Sequence, residues 1–127
     1  MEASLKQAGI EAIHQFKKLT AIVVGDVMVD SYIWGTSKRI SPEAPVPIVD
    51  VKKKENRLGG AANVALNIKS LGANPVMCTV IGADDMALVF SELLENEGLS
   101  DRGILNSSNR ITTQKTRIIS DHQHMVR

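Results

Sequence analysis

The sequence predicts an α/β chain with a mostly parallel main sheet flanked by helices, on three observations. Residues 21–24 form a continuous apolar run closed by Gly25 and Asp26, the pattern of a strand buried on both faces. Residues 59–82, GGAANVALNIKSLGANPVMCTVIG, read as glycine loop, helix, turn and strand. Residues 82–98 then open on two aspartates and run with helical apolar spacing to another glycine, which predicts a second helix.

Taken in order, residues 3–18 space Leu5, Ile10, Ile13 and Phe16 among charged residues, predicting an amphipathic packing or partner helix ahead of the domain. After the strand at 21–24, residues just beyond its C-terminal end face the ligand crevice of an α/β sheet. Asp26, Met28 and Asp30 stand there. Asp26 reads as a turn or helix cap. Asp30 is the better site candidate, because one carboxylate accepts two hydroxyls of a polyol. Residues 31–35 and 46–51 are short β-prone segments around Pro42, Pro45 and Pro47, which exclude helix there and fit an exposed pair of strands. Within RISPEAPVP, Arg39 offers a fork of donors for phosphate or carboxylate on a stiffened backbone; a rigid, solvated surface loop is the other reading. Lys52, Lys53 and Lys54 read as a solvated strand end that discourages edge pairing.

Gly59 and Gly60 carry no Cβ, so a ligand can approach the main chain where free N–H groups open the following helix; a tight turn with close helix packing is the other reading. Asn63 points back toward the same mouth. Val64, Ile68 and Leu71 are the expected inner face, Gly72 the C-terminal cap, and Asn74-Pro75 the turn. Asp84 and Asp85 are explained by capping, while Leu88, Val89, Leu93 and Leu94 carry the apolar stripe to Gly98. Residues 103–105, 112–120 and 124–126 read as short strands. Lys115 and Arg117 share parity on the second of these and project from one face; they either hold a phosphate together or form the exposed face of a sheet.

With 127 residues the chain is one domain at most, small for an enzyme that holds two substrates. Fifteen basic residues against 14 acidic argue against a nucleic-acid or polyanion partner. The N-terminus interleaves Glu, Lys and Gln with apolar residues and no apolar run reaches membrane-spanning length, so neither signal peptide nor membrane span is expected. The single cysteine, Cys78, lies in an apolar strand run and is expected to be a buried structural residue in a reducing cytoplasm. His14, His122 and His124 lack the accompanying ligands of a metal site.

Gly-Gly-Ala-Ala-Asn-Val-Ala, six residues, Gly72, nine residues and Gly82 resemble, at every fixed position, the first signature of the ribokinase-like (phosphofructokinase-B) sugar kinases. VVGDVMVD, RISPEAPVP and TQKTRII narrow the resemblance, over roughly residues 20–127, to the bacterial heptose-7-phosphate kinases. Such enzymes phosphorylate a sugar phosphate at its anomeric position during lipopolysaccharide-core precursor (ADP-heptose) synthesis. The resemblance implies a ribokinase-like fold whose strands around 31–53 form a β lid over the sugar, often shared with a dimer contact. It also implies that Asp30 holds sugar hydroxyls, that Gly59, Gly60 and Asn63 line the sugar pocket, and that Arg39, Lys115 and Arg117 receive the substrate phosphate with Gln123 nearby.

The family's second signature, Asp-Thr-x-Gly-Ala-Gly-Asp, is absent from this sequence. That motif supplies the general base and anion hole, so no catalytic residue is assigned. The division expected is a helix at 1–19 and a sugar-binding part at 20–127, with the ATP-binding half missing, as in a truncated or proteolysed piece of a longer protein. ATP and Mg2+ are the expected cofactors of the parent enzyme, with little binding to these residues alone. Sugar phosphate is the expected partner, with self-association through lid or sheet edge. The competing readings are a non-catalytic sugar-phosphate binding or dimerisation module, and a kinase for another sugar or a nucleoside.

Overall fold

The computed structural model describes residues 2–120 and 123–126; His122 lies outside them. Helix α1 (Glu2–Gln15) passes through a 3-10 turn (Phe16–Lys18) into β1 (Thr20–Val24). The apolar residues of α1, Leu5, Ile10 and Ile13, are exposed. β1 pairs in parallel with β4 (Asn74–Gly82), which pairs in parallel with β5 (Ile104–Ser107).

A second sheet has the order β3-β2-β6-β7. In it β2 (Val27–Ile40) runs antiparallel to β3 (Pro47–Gly60) and parallel to β6 (Gln114–Ser120), while β7 (Gln123–Val126) runs antiparallel to β6. The α/β class with a parallel sheet is therefore as the sequence predicts. The strand pair expected as a lid is longer than predicted, because 14-residue strands replace the short segments at 31–35 and 46–51. Register shifts after Trp34 and Thr36 let this ribbon bend and continue where local propensity suggested interruption. The lysine run 52–54 lies inside β3 rather than at a strand end.

The core forms where helices α2 (Ala61–Ser70) and α3 (Asp85–Asn96) pack on these sheets, around Val23, Val27, Val29, Leu58, Met77, Ile81, Phe90 and Leu94. β1 is not buried on both faces. Val23 joins the core, but Ile22 and Val24 are 69% and 79% exposed, since alternation turns them to a face that no described element covers. Helix α2 buries Ala62 and Ala65, with Ile68 partly covered, and leaves Val64 and Leu71 exposed. The helix start also runs close to the end of β1, where a Cβ placed on Gly25 would lie 3.3 Å from that of Ala61.

Gly72 (φ 95°) and Gly98 (φ 57°) follow α2 and α3 in the left-handed conformation, the expected glycine stops. Asn74 and Pro75 belong to β4 itself, and the turn lies just before them. Asp84 caps α3, accepting from Ala87 N–H at 2.9 Å and also from Thr112 N–H at 2.8 Å. Those donors, Thr112 foremost, hold its carboxyl below the usual carboxylate range. Helix α3 buries Ala87, Phe90 and Leu94 while Leu88 faces out. Cys78 is half-buried in β4.

Candidate sugar-binding face of the lid

Cross-strand partners share a face of a sheet, so register places side chains in rows across the second sheet. Asp30 on central β2 stands between Arg57 on β3 and Lys115 on β6. Tyr32 stands between Glu55 and Arg117, and Trp34 between Lys53 and Ile119, with His124 of β7 beyond Ile119. Four cations and two carboxylates thus surround two stacked aromatic rings. The Tyr32 and Trp34 centroids are 5.4 Å apart with a 14° interplanar angle. Arg57 and Arg117 approach the Tyr32 ring at 4.9 and 5.0 Å, and Lys53 lies 4.9 Å from the Trp34 centroid, all within cation–π range.

Asp30 is the electrostatic centre of this face. Arg117 Nη1 donates to its Oδ1 at 2.8 Å and Lys115 Nζ pairs with the same oxygen at 3.1 Å. Burial alone would raise its pKa, but the hydrogen bonds from Lys115 and Arg117, with their charges, outweigh it and hold the carboxyl below 3.8. Asp30 is therefore a permanent acceptor at neutral pH, and its Oδ2 is turned toward the Gly59 backbone. A Cβ on Gly59 would fall 2.7 Å from that oxygen, and one on Gly60, whose φ is +60°, would fall 2.5 Å from the Asp26 carbonyl. Both glycines are needed for the chain to run beneath the carboxylate and turn directly from β3 into α2.

The other residues singled out from sequence are distributed as follows. Lys115 and Arg117 do share a face, and they meet on Asp30. Asn63 is exposed in the first turn of α2 and lines a separate cavity of ≈ 330 Å³ with Glu55, Arg57, Leu66, Leu93 and Glu97. Arg39 is exposed near the distal end of β2, paired with Ile48, roughly 30 Å of strand length from Asp30 at the usual rise per residue. Gln123 pairs with Ser120, so alternation sets it opposite in parity to Arg117 and His124. Asp26 does not cap a helix with its side chain. Its carboxylate accepts from Arg110 Nη2 at 2.7 Å, and its carbonyl accepts from Ala61 N–H, the first helical N–H of α2.

Tyr32, Trp34, Lys53, Glu55, Arg57 and His124 were not singled out as site residues. The signal was present as i, i+2 alternation on two segments, Asp30-Tyr32-Trp34 and Lys53-Glu55-Arg57, but it acquires meaning only with the antiparallel register. Glu55 accepts from both Lys53 and Arg57, and these bonds, Lys53 first, lower its pKa. Among the described residues no three His, Cys, Asp or Glu side chains gather as metal ligands.

Comparison with known proteins places this geometry in a lineage. Residues 18–126 match the pfkB family carbohydrate kinases. The chain is 41% identical over 124 residues to bifunctional protein HldE of Pelobacter propionicus, covering 97% of this chain and 25% of that protein. It is 48% identical over 106 residues to bifunctional protein HldE of Helicobacter pylori strain J99, covering 84% and 23%. The chain thus spans about a quarter of the length of these relatives. Among solved structures, Arabidopsis thaliana ribokinase complexed with ribose and ATP superimposes with a TM-score of 0.65 at 19% identity, covering 83% of this chain and 34% of that one. The Methanocaldococcus jannaschii nucleoside kinase gives 0.61 at 21% identity, covering 84% and 35%. The fold is that of the ribokinases, and the chain belongs to the pfkB family of carbohydrate kinases.

Proposed function

We propose that residues 20–127 are the sugar-binding part of an ATP-dependent kinase that phosphorylates heptose 7-phosphate at its anomeric hydroxyl, in the synthesis of lipopolysaccharide-core precursors. The observation that carries this reading is the Asp30 carboxylate. It is kept charged by two cations on Oδ1, while Oδ2 faces the Gly59 backbone at the start of a helix. A polyol hydroxyl bonded there would sit against main chain, where recognition is tightest. The choice of heptose rests on VVGDVMVD, RISPEAPVP and TQKTRII, which resemble the heptose-7-phosphate kinases.

In this reading Asp30, Gly59 and Gly60 take the sugar, and Asn63, which lines a separate cavity, joins them only if the site rearranges around the ligand. Lys115 and Arg117 hold Asp30 in place and lend positive charge to a phosphate, and Arg39 and Gln123 approach only if the lid bends over the ligand. A closed lid excludes water from the reacting hydroxyl. Mg-ATP is the phosphoryl donor of such a kinase, yet the described residues do not fit it. Of the two acidic residues at the start of α3, Asp84 is already engaged by two backbone N–H groups, and among the described residues no three His, Cys, Asp or Glu side chains gather as metal ligands. These residues therefore position the acceptor sugar, and purified residues 1–127 are expected to show no ATP turnover. Self-association through the exposed edges of the lid belongs to the same proposal.

Calorimetric titration of the chain with heptose 7-phosphate, a fructose phosphate and a nucleoside tests the reading. Heptose 7-phosphate should bind preferentially, and Asp30→Ala should weaken it roughly a hundredfold, as when a charged hydrogen-bonding partner is lost. Preferential binding of either alternative would move the substrate assignment, and binding indifferent to Asp30→Ala would remove the site.

A further inference from the structure

We propose that Thr112 and Gln114 are positioning residues for the Asp30 site: they fix the register of β6 on β2, and through it the placement of Lys115 and Arg117 on the carboxylate. The inference rests on the reading that Asp30 takes the sugar hydroxyls.

By itself β6 specifies its register weakly. Its sequence begins Gln114-Lys115-Thr116-Arg117, polar on both faces, and a strand polar on both faces slips easily. Lys115 and Arg117 carry the same charge one alternation apart, so a slip of two residues would set Arg117 opposite Asp30 and move Lys115 to the Met28 row. The ion pairs are too accessible to choose between these registers. Lys115 is 35% exposed, and Arg117 borders an open trough with Tyr32, Trp34, Ile119 and His124.

Two anchors outside that row supply the choice. The first stands ahead of the strand. Thr112 is 2% exposed although the adjacent Ile111 is 82% exposed. Its hydroxyl accepts from Gly82 N–H at 2.9 Å at the end of β4, and its own N–H donates to Asp84 Oδ2 at 2.8 Å before α3. A Cβ on Gly82 would fall 2.7 Å from Thr112 N and 2.8 Å from the Arg110 carbonyl oxygen, so the segment passes in contact with the strand end. One residue on, the Thr113 carbonyl accepts from Val29 N–H of β2 at 2.9 Å. Without the Thr112 hydroxyl the buried Gly82 N–H would lose its partner.

The second anchor lies on the reverse face of the sheet. Gln114 Nε2 donates to Ser31 Oγ at 2.9 Å, and Ser31, 5% exposed, donates to Asn56 Oδ1 at 2.7 Å. These bonds join β6, β2 and β3 behind Asp30. The two-residue slip would replace Gln114 by Thr116 beside Val29 and part Thr112 from Gly82. With both anchors in place, Lys115 and Arg117 reach Asp30 Oδ1 at 3.1 and 2.8 Å.

The test follows the Asp30 side-chain carboxyl by its carbon-13 shift as pH is varied in the 127-residue chain, alongside calorimetric affinity for heptose 7-phosphate. Lys115 and Arg117 of β6 and Arg57 of β3 face this carboxyl, so displacing β6 takes away Lys115 and Arg117 together. Thr112→Val, Gln114→Ala and the conservative Thr112→Ser are compared with the unchanged protein, each checked for folding by its urea midpoint. Thr112→Val and Gln114→Ala should each raise the Asp30 titration midpoint and weaken heptose 7-phosphate roughly tenfold. Thr112→Ser keeps the hydroxyl and should match the unchanged protein in both. A purely structural role would lower the urea midpoint and leave the Asp30 titration in place; that result in both Thr112→Val and Gln114→Ala overturns the proposal. Thr112→Ser as impaired as Thr112→Val also overturns it, by making shape decisive rather than the hydrogen bond. If Thr112→Val does not fold, Gln114→Ala decides alone. The underlying reading fails separately, when Asp30→Ala leaves the sugar affinity unchanged, and the Asp30 titration still judges the positioning in that case.

Discussion

Asp30→Asn removes one charge from the middle of the lid while preserving side-chain size, and its effect on stability follows from the local geometry. The Asp30 side chain is 16% exposed, Arg117 13% and Lys115 35%. Losing the charge strands two partly buried cations around an amide that still accepts one hydrogen bond. Breaking a fully buried pair costs about 3–5 kcal/mol and an exposed pair about 0–1. With the trough open to solvent, the expected loss is about 1–2 kcal/mol, a fall in Tm of roughly 3–10 °C for a chain this size. The pH dependence has a fixed sign. Because the folded carboxyl titrates below its ordinary 3.8, its stabilisation is fully present above that value and disappears as pH falls through the lower folded value. Urea unfolding of both proteins should give a constant gap near neutral pH that closes once pH drops below 3.8. A gap absent at neutral pH, or undiminished in acid, would refute the claim that charge pairing holds this face together.

Gly60→Ala should be destabilising by about 2–4 kcal/mol, combining a left-handed φ with a backbone collision, read as a lowered midpoint in urea. Gly59→Ala should instead act on the site, because its methyl meets Asp30 Oδ2; heptose 7-phosphate affinity should fall roughly tenfold or more as the acceptor is displaced. Phe90 is 0% exposed in the core, and Phe90→Ala should cost about 3–5 kcal/mol, measured by the same unfolding assay with sugar contacts untouched.

Much of the fold was legible because its punctuation is local. Gly72, Gly98 and Asp84 stop and start helices through their own backbone and side-chain chemistry, which needs no knowledge of the rest of the chain. The shared face of Lys115 and Arg117 was legible for the same reason, strand alternation. What escaped depends on partners far along the chain. Ile22 and Val24 look like core residues until β1 is seen to have one described face covered. Val64 and Leu71 look like an inner face until the docking of α2 shows Ala62 and Ala65 turned to the core instead. The site followed the same division. Asp30 and the glycine pair announce themselves by position and by absent side chains, whereas Tyr32, Trp34, Glu55 and Arg57 become one surface only through the β2–β3 register.

The most direct test of the account is a map of backbone amide shifts in the 127-residue chain as heptose 7-phosphate is added. The account predicts the largest changes at Asp30, Gly59, Gly60 and Arg117, absent in Asp30→Ala. Changes centred instead on the cavity lined by Lys69, Gly72, Asn74 and Ser100, or no saturable change at all, would contradict the assignment of the lid face as the sugar site.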